Sequence, residues 1–83
     1  MKLRLSKMRK GMAGKISFIE SNLDSAPILV RLMELGFIEG VRVELVREAP
    51  FTRDPIAVRV KGSLIALRRE EGASIEVDVE GYQ

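Results

Sequence analysis

Three short runs of alternating apolar and polar residues do most to limit what this chain can become. Val41, Val43 and Leu45 are separated by Arg42 and Glu44, Ile56, Val58 and Val60 by Ala57 and Arg59, and Ile75, Val77 and Val79 by Glu76 and Asp78. Alternation with period two puts the apolar members of a run on one face, so each run predicts a strand half buried against a core. The first strand is expected to reach about Ala49, and Val46, which breaks its alternation, marks a bulge or a change of face. Pro50 and Pro55 bound the loop between the first two runs. Lys61-Gly62-Ser63 predicts a tight hairpin turn, with Leu64–Arg68 returning as the partner strand.

Upstream, Leu3 and Leu5 alternate with charge, and Lys15–Glu20 reads as a further strand carrying Ile16 and Phe18 on one face. Gly14 before it suits a bulge or a sharp bend. Only one segment predicts a helix. Asp24 or Ser25 caps it, and Pro27 falls in the first turn, where its missing N–H is harmless. Ile28, Leu29, Leu32, Met33 and Leu35 form its apolar stripe. Gly36 stands where a left-handed residue ends the helix, and Phe37 folds back onto Leu32 in a Schellman ending. About ten residues of helix are too short to persist alone, so this one must dock on the sheet. Arg69–Ala73 is a charged connection of about one 3₁₀ turn. Five or six short strands and one short helix in 83 residues predict a mainly β protein, a small barrel forming a single domain over residues 1–83.

Charge supports that topology. Residues 1–15 carry six basic side chains and no acid, whereas five acids and no base follow from Glu70 onward. The two ends read as neighbouring strands whose charges pair across the ladder rather than as a phosphate-binding patch. The longest uninterrupted apolar run is four residues, far short of the roughly 20 a membrane span needs. The amino terminus has no apolar stretch of the signal-peptide kind, so a cytoplasmic protein is expected. The absence of cysteine fits a reducing compartment.

Residue types that carry chemistry are scarce. There is no His and no Cys, so the serines have no imidazole to activate them and no thiolate is available. A non-enzyme with no cofactor is expected. A metal site would need oxygen ligands alone, and Glu76, Asp78 and Glu80, spaced roughly 7 Å apart along one strand face, are too far apart for a tight cage; no metal site is assigned. Nucleic-acid binding lacks a stacking platform, because Phe18 and Phe37 have core positions and Phe51 and Tyr82 lie far apart in sequence. Phe51, between Pro50 and Pro55, either caps the barrel end or offers an apolar contact to a partner.

The ordered set Arg31-Leu32-Met33-Glu34-Leu35-Gly36-Phe37-Ile38-Glu39-Gly40-Val41-Arg42-Val43, then Ala49-Pro50, Asp54-Pro55-Ile56, Val60–Arg68 and Ile75-Glu76-Val77, is similar to the FeoA family. Leu5 and the Gly11–Ile16 stretch fit the same pattern, so the resemblance covers essentially the whole chain. Gly72 departs from it, since many members have Ala after the acidic residue, and glycine there loosens the turn. The resemblance implies an SH3-like barrel that accompanies the ferrous-iron transporter FeoB and modulates it by binding, FeoB carrying a cytoplasmic GTPase domain. Leu32, Leu35 and Gly36 are expected to serve the helix ending. The residues expected at partner contact are Arg31, Glu34, Phe37, Phe51, Arg53, Asp54 and Arg68. Two other readings stay open: a stand-alone relative of the SH3-like domain of iron-dependent repressors, and an RNA-binding barrel whose affinity would fall steeply with salt.

Overall fold

A computed structural model describes residues 1–21 and 26–81 of the chain. Six strands, β1 (Lys2–Arg4), β2 (Ala13–Ile19), β3 (Arg42–Glu48), β4 (Ile56–Val60), β5 (Ser63–Leu67) and β6 (Ile75–Val79), form one antiparallel sheet in the order β1-β6-β2-β3-β4-β5. The helix α1 (Ala26–Glu34) connects β2 to β3, and two 3₁₀ turns, Leu5–Lys7 and Arg69–Gly72, follow β1 and β5. The three alternating runs are β3, β4 and β6, and their apolar members are buried as the period requires, apart from Val41, which precedes β3 and is half-buried.

The basic beginning and the acidic end do meet. β6 lies between β1 and β2, so Asp78 faces Lys2 on one side and Lys15 on the other. Arg42 and Glu80 form a bidentate pair at the end of this seam, with Nε to Oε2 at 2.8 Å and Nη2 to Oε1 at 3.0 Å. The Met1 ammonium also pairs with Asp78 at 3.4 Å, so the seam satisfies part of this charge internally.

Two strands are bulged. In β3 the register shifts between Leu45 and Arg47, placing the bulge at Val46 as the broken alternation implied. In β2 the shift falls between Ile16 and Phe18, which overturns the expectation that these two share a face. The extra residue Ser17 turns Phe18 outward, leaving it 47% exposed, while Ile16 is buried. Gly14 is not at a bulge but at a close approach, since a Cβ there would stand 2.0 Å from the carbonyl oxygen of Asp78. Only glycine lets β2 and β6 run this close.

The helix ends as its sequence indicates. Phe37 N donates to Leu32 O at 3.0 Å and Gly36 N donates to Met33 O at 3.0 Å, with Gly36 at φ 110°, the pair of bonds that defines a Schellman ending. Leu32 and Phe37 are both wholly buried in the main core cluster with Leu5, Leu45 and Val58. Each such side chain contributes about 1.5–3 kcal/mol on burial. The apolar stripe is narrower than expected. Leu29 and Leu32 are buried, but Ile28, Met33 and Leu35 are exposed, because a short helix touching a curved sheet along one line shields only the arc nearest it. The caps assigned to Asp24 and Ser25 lie outside the described residues, as does Tyr82.

Candidate functional site

One end of the barrel gathers the Pro50–Pro55 loop, the two 3₁₀ turns and the last residues of β3. The organiser is Arg69, whose side chain is 18% exposed. Its Nε donates to the carbonyl of Arg53 (2.8 Å), its Nη1 to the carbonyls of Ser6 (3.2 Å) and Met8 (2.6 Å), and its Nη2 to the Glu48 carboxylate. Its backbone N–H donates to Asp54 Oδ1 at 3.0 Å. A planar fork of donors suits this task, holding carbonyls of separate segments in one plane.

Glu48, the acceptor, is pushed up by burial, but hydrogen bonds from Arg9 and the backbone of Lys10, with the charges of Arg9 and Arg69, outweigh this and hold its carboxyl below the usual range. Glu71 does similar work beside it. Its Oε1 accepts from the backbone N–H of Arg68 and its Oε2 from Arg31 Nη2, both at 2.8 Å.

The Pro50–Pro55 loop is stiffened from within. Arg53 N donates to Ala49 O at 3.0 Å, Ala49 N donates to Pro55 O at 3.0 Å, and the Thr52 hydroxyl donates to the Asp54 carbonyl at 2.8 Å. Phe51, at φ 67°, stands at its tip with its ring in solvent, 102% exposed. Of the two placements open to it, the ring takes the outward one.

Arg31, Arg53, Asp54 and Arg68 are thus each bonded to Arg69 or Glu71 and belong to one region. Glu34 is exposed on α1. Phe37 differs from the rest: it is wholly buried, so it offers no surface and acts by holding the Leu32–Phe37 chain reversal. Arg69, Glu48 and Glu71 were not among the residues expected from sequence. Arg68 and Arg69 look alike in a charged run, and only the pairing of distant segments separates an exposed arginine from a nearly buried one.

The two acids of β6 and Glu80 just past its end are each engaged by neighbours. Glu76 Oε1 accepts from the Ser17 hydroxyl at 3.0 Å, Asp78 Oδ1 accepts from the amino-terminal ammonium of Met1 at 3.4 Å, and Glu80 is held by Arg42. The hydrogen bond and charge of Arg42 keep the Glu80 carboxyl below its usual range. A separate apolar groove of about 400 Å³ runs beside α1, between Val30 and Met33 of the helix and Ile19 and Ile38. Among the described residues, no helix is long and apolar enough to cross a membrane.

Six antiparallel strands, one short helix and a 3₁₀ turn before the last strand make this an SH3-like barrel module. The family model for the FeoA domain matches residues 3–79, and the chain belongs to that family. It is 34% identical over 77 residues to an Fe(2+) transport protein A/Fe(2+) transporter FeoB fusion protein of Porphyromonas gingivalis, a match covering 93% of this chain and 9% of the fusion protein. The chain therefore spans less than a tenth of that relative's length. Among solved structures, the iron(II) transport protein A of Clostridium thermocellum superimposes with a TM-score of 0.81 at 32% identity, over 95% of this chain and 46% of that one. A zinc complex of FeoA from Stenotrophomonas maltophilia, an SH3 domain protein and candidate ferrous iron transport activating factor, gives a TM-score of 0.78 at 29% identity, over 94% and 89% of the two chains.

Proposed function

We propose that this chain is a small cytoplasmic accessory protein of ferrous iron uptake, which binds a FeoB-type transporter and modulates it through protein–protein contact without catalysis of its own. The observation that carries this reading is the fusion relative, in which a segment like this chain is joined covalently to a FeoB-type transporter. Covalent joining raises the effective concentration of two modules, and a chain of the same fold made separately must obtain the same proximity by affinity.

The surface that fits this task is the loop end of the barrel. Phe51 is a fully exposed aromatic on a loop held by its own hydrogen bonds, so little conformational entropy is lost when it docks. Arg53 and Arg68 beside it, Asp54 in their midst, and Arg31 and Glu34 on the helix supply the charged rim. The partner's cytoplasmic GTPase domain is the expected contact.

The test is a pull-down from the native host at moderate salt, with this chain as bait, followed by the double variant Phe51→Ser, Arg53→Glu. Retention of a large membrane protein with a GTPase domain, lost in the variant, is the expected result. Retention of RNA or ribosomal components in its place overturns the reading.

A further inference from the structure

The two outer strands of the sheet differ in how they meet solvent. β1 is three residues long and carries Lys2 and Arg4, a short charged edge of the kind that discourages pairing. β5 is the opposite edge and, among the described residues, pairs only with β4, through Val60↔Ser63, Val58↔Ile65 and Ile56↔Leu67 with Arg59↔Leu64 and Ala57↔Ala66 between them. Its sequence, Ser63-Leu64-Ile65-Ala66-Leu67, has no charge and no proline, and its register shows no bulge. None of the usual edge protections is present within the strand.

The hairpin turn settles which backbone groups face outward. Lys61 and Gly62 both have positive φ, 48° and 81°, as a two-residue primed turn requires. In such a hairpin the residues flanking the turn exchange both hydrogen bonds, and the pattern then alternates along the ladder. Ser63, Ile65 and Leu67 therefore bond inward to β4, and the N–H and C=O groups of Leu64 and Ala66 point away from the sheet. Among the described residues, neither takes part in a turn, loop or cap hydrogen bond. Leu64 is 48% exposed and Ala66 is exposed too.

Charge selects the occupant. Lys61 and Arg68 bracket the strand, both exposed and neither in an ion pair among the described residues. The stem of Lys61 passes over Gly36, where a Cβ would meet it at 3.3 Å, and Arg59 lies across from Leu64. A second copy pairing antiparallel about Ile65 would set Gly62 opposite Arg68, bringing the exposed Lys61 of each copy one position from the exposed Arg68 of the other. We propose that β5 is a docking edge for an extended segment of a protein partner, added as a further strand, with small or β-branched residues along it and Asp or Glu at its ends. Main-chain bonds to Leu64 and Ala66 supply the attachment, and the acidic ends meet Lys61 and Arg68. This inference does not depend on which protein is the partner, so its failure leaves the transporter reading untouched.

The test titrates ¹⁵N-labelled protein with the blocked peptide Asp-Glu-Val-Thr-Val-Thr-Val-Thr-Glu-Asp. The expected result is chemical-shift change centred on the amides of Leu64 and Ala66, with exchange of those two amides slowed at least about tenfold. Binding should weaken several-fold as salt rises to about 0.5 M and be lost in Lys61→Glu, Arg68→Glu. Ala66→Pro removes one outward N–H without touching the ladder to β4 and should abolish binding; a peptide N-methylated at its central amides gives the same result with the unaltered chain. Shifts that spare β5, or none at millimolar peptide, overturn the proposal. Protection of Leu64 and Ala66 that grows with protein concentration in the absence of peptide overturns it in favour of a second copy.

Discussion

Arg69 and Glu48 lie fifteen and more residues from most of what they hold together, yet their ion pair joins β3 to the turn before β6, and the same guanidinium holds the carbonyls of Ser6, Met8 and Arg53. Removing one partner of a nearly buried pair leaves the other charge and several carbonyls without donors. Arg69→Met should destabilise the fold by roughly 2–4 kcal/mol in urea unfolding. Arg69→Lys should recover little of this, since an ammonium cannot reach carbonyls on three sides at once.

Acid should unfold the protein from an identifiable side. Glu48 and Glu80 are both held below the usual carboxylate range in the folded state. They bind fewer protons there than in the unfolded chain, so their contribution is fully present above the unfolded value of about 4.3 and is lost as pH falls through the folded values. Denaturant midpoints should be level from neutrality to about pH 5 and fall below that. Glu48→Gln and Glu80→Gln should each flatten the acid limb, and an unchanged limb in both would remove these carboxylates as its cause.

Gly14 and Gly72 both sit in tight quarters but should respond differently to alanine. At Gly14 the added carbon would meet the backbone of Asp78 and Val79, whereas at Gly72 it would meet only the Leu5 side chain, at 3.0 Å. Backbone cannot yield without parting β2 from β6, so Gly14→Ala should cost more than about 3 kcal/mol or prevent folding. Leu5 is wholly buried and is met at its Cβ as well as its tip, so Gly72→Ala should cost about 1–3 kcal/mol, less than Gly14→Ala because a side chain rather than backbone must move. Thermal melts of the two variants decide this.

Two phenylalanines separate stability from contact. Phe37→Ala empties a wholly buried site and should cost about 3–5 kcal/mol. Phe51→Ser removes a ring in full solvent contact and should leave stability within about 0.5 kcal/mol, while weakening capture of the partner. A large loss of stability in Phe51→Ser would mean that the ring packs against the barrel.

The elements were readable from sequence wherever a local rule governs them. Alternation located β3, β4 and β6, Val46 disclosed its bulge, and Gly36 with Phe37 disclosed the helix ending. Charge asymmetry brought β6 against β1 and β2. Phe18 was misplaced because nothing about Ser17 marks a bulge: its neighbours still alternate, and the register shift is set by the pairing with β6. The helix stripe implied by sequence is wider than the buried one, because periodicity reports which residues share a face, not how much of that face a partner surface covers. Arg69 stayed hidden for a similar reason, since its partners Ser6, Glu48 and Arg53 come together only through the sheet.

The place of β6 in the sheet also governs when this protein can begin to exist as a folded body. β1 and β2 do not pair with each other; each pairs with β6, which the ribosome makes long after both. β2, β3, β4 and β5 can pair in turn as they emerge, but β1 must wait, extended and basic, until Ile75–Val79 has been made. The sheet is therefore closed by β6, and a ribosome stalled before Ile75 holds a chain whose β1 has no sheet to join and whose β2 has one edge unpaired.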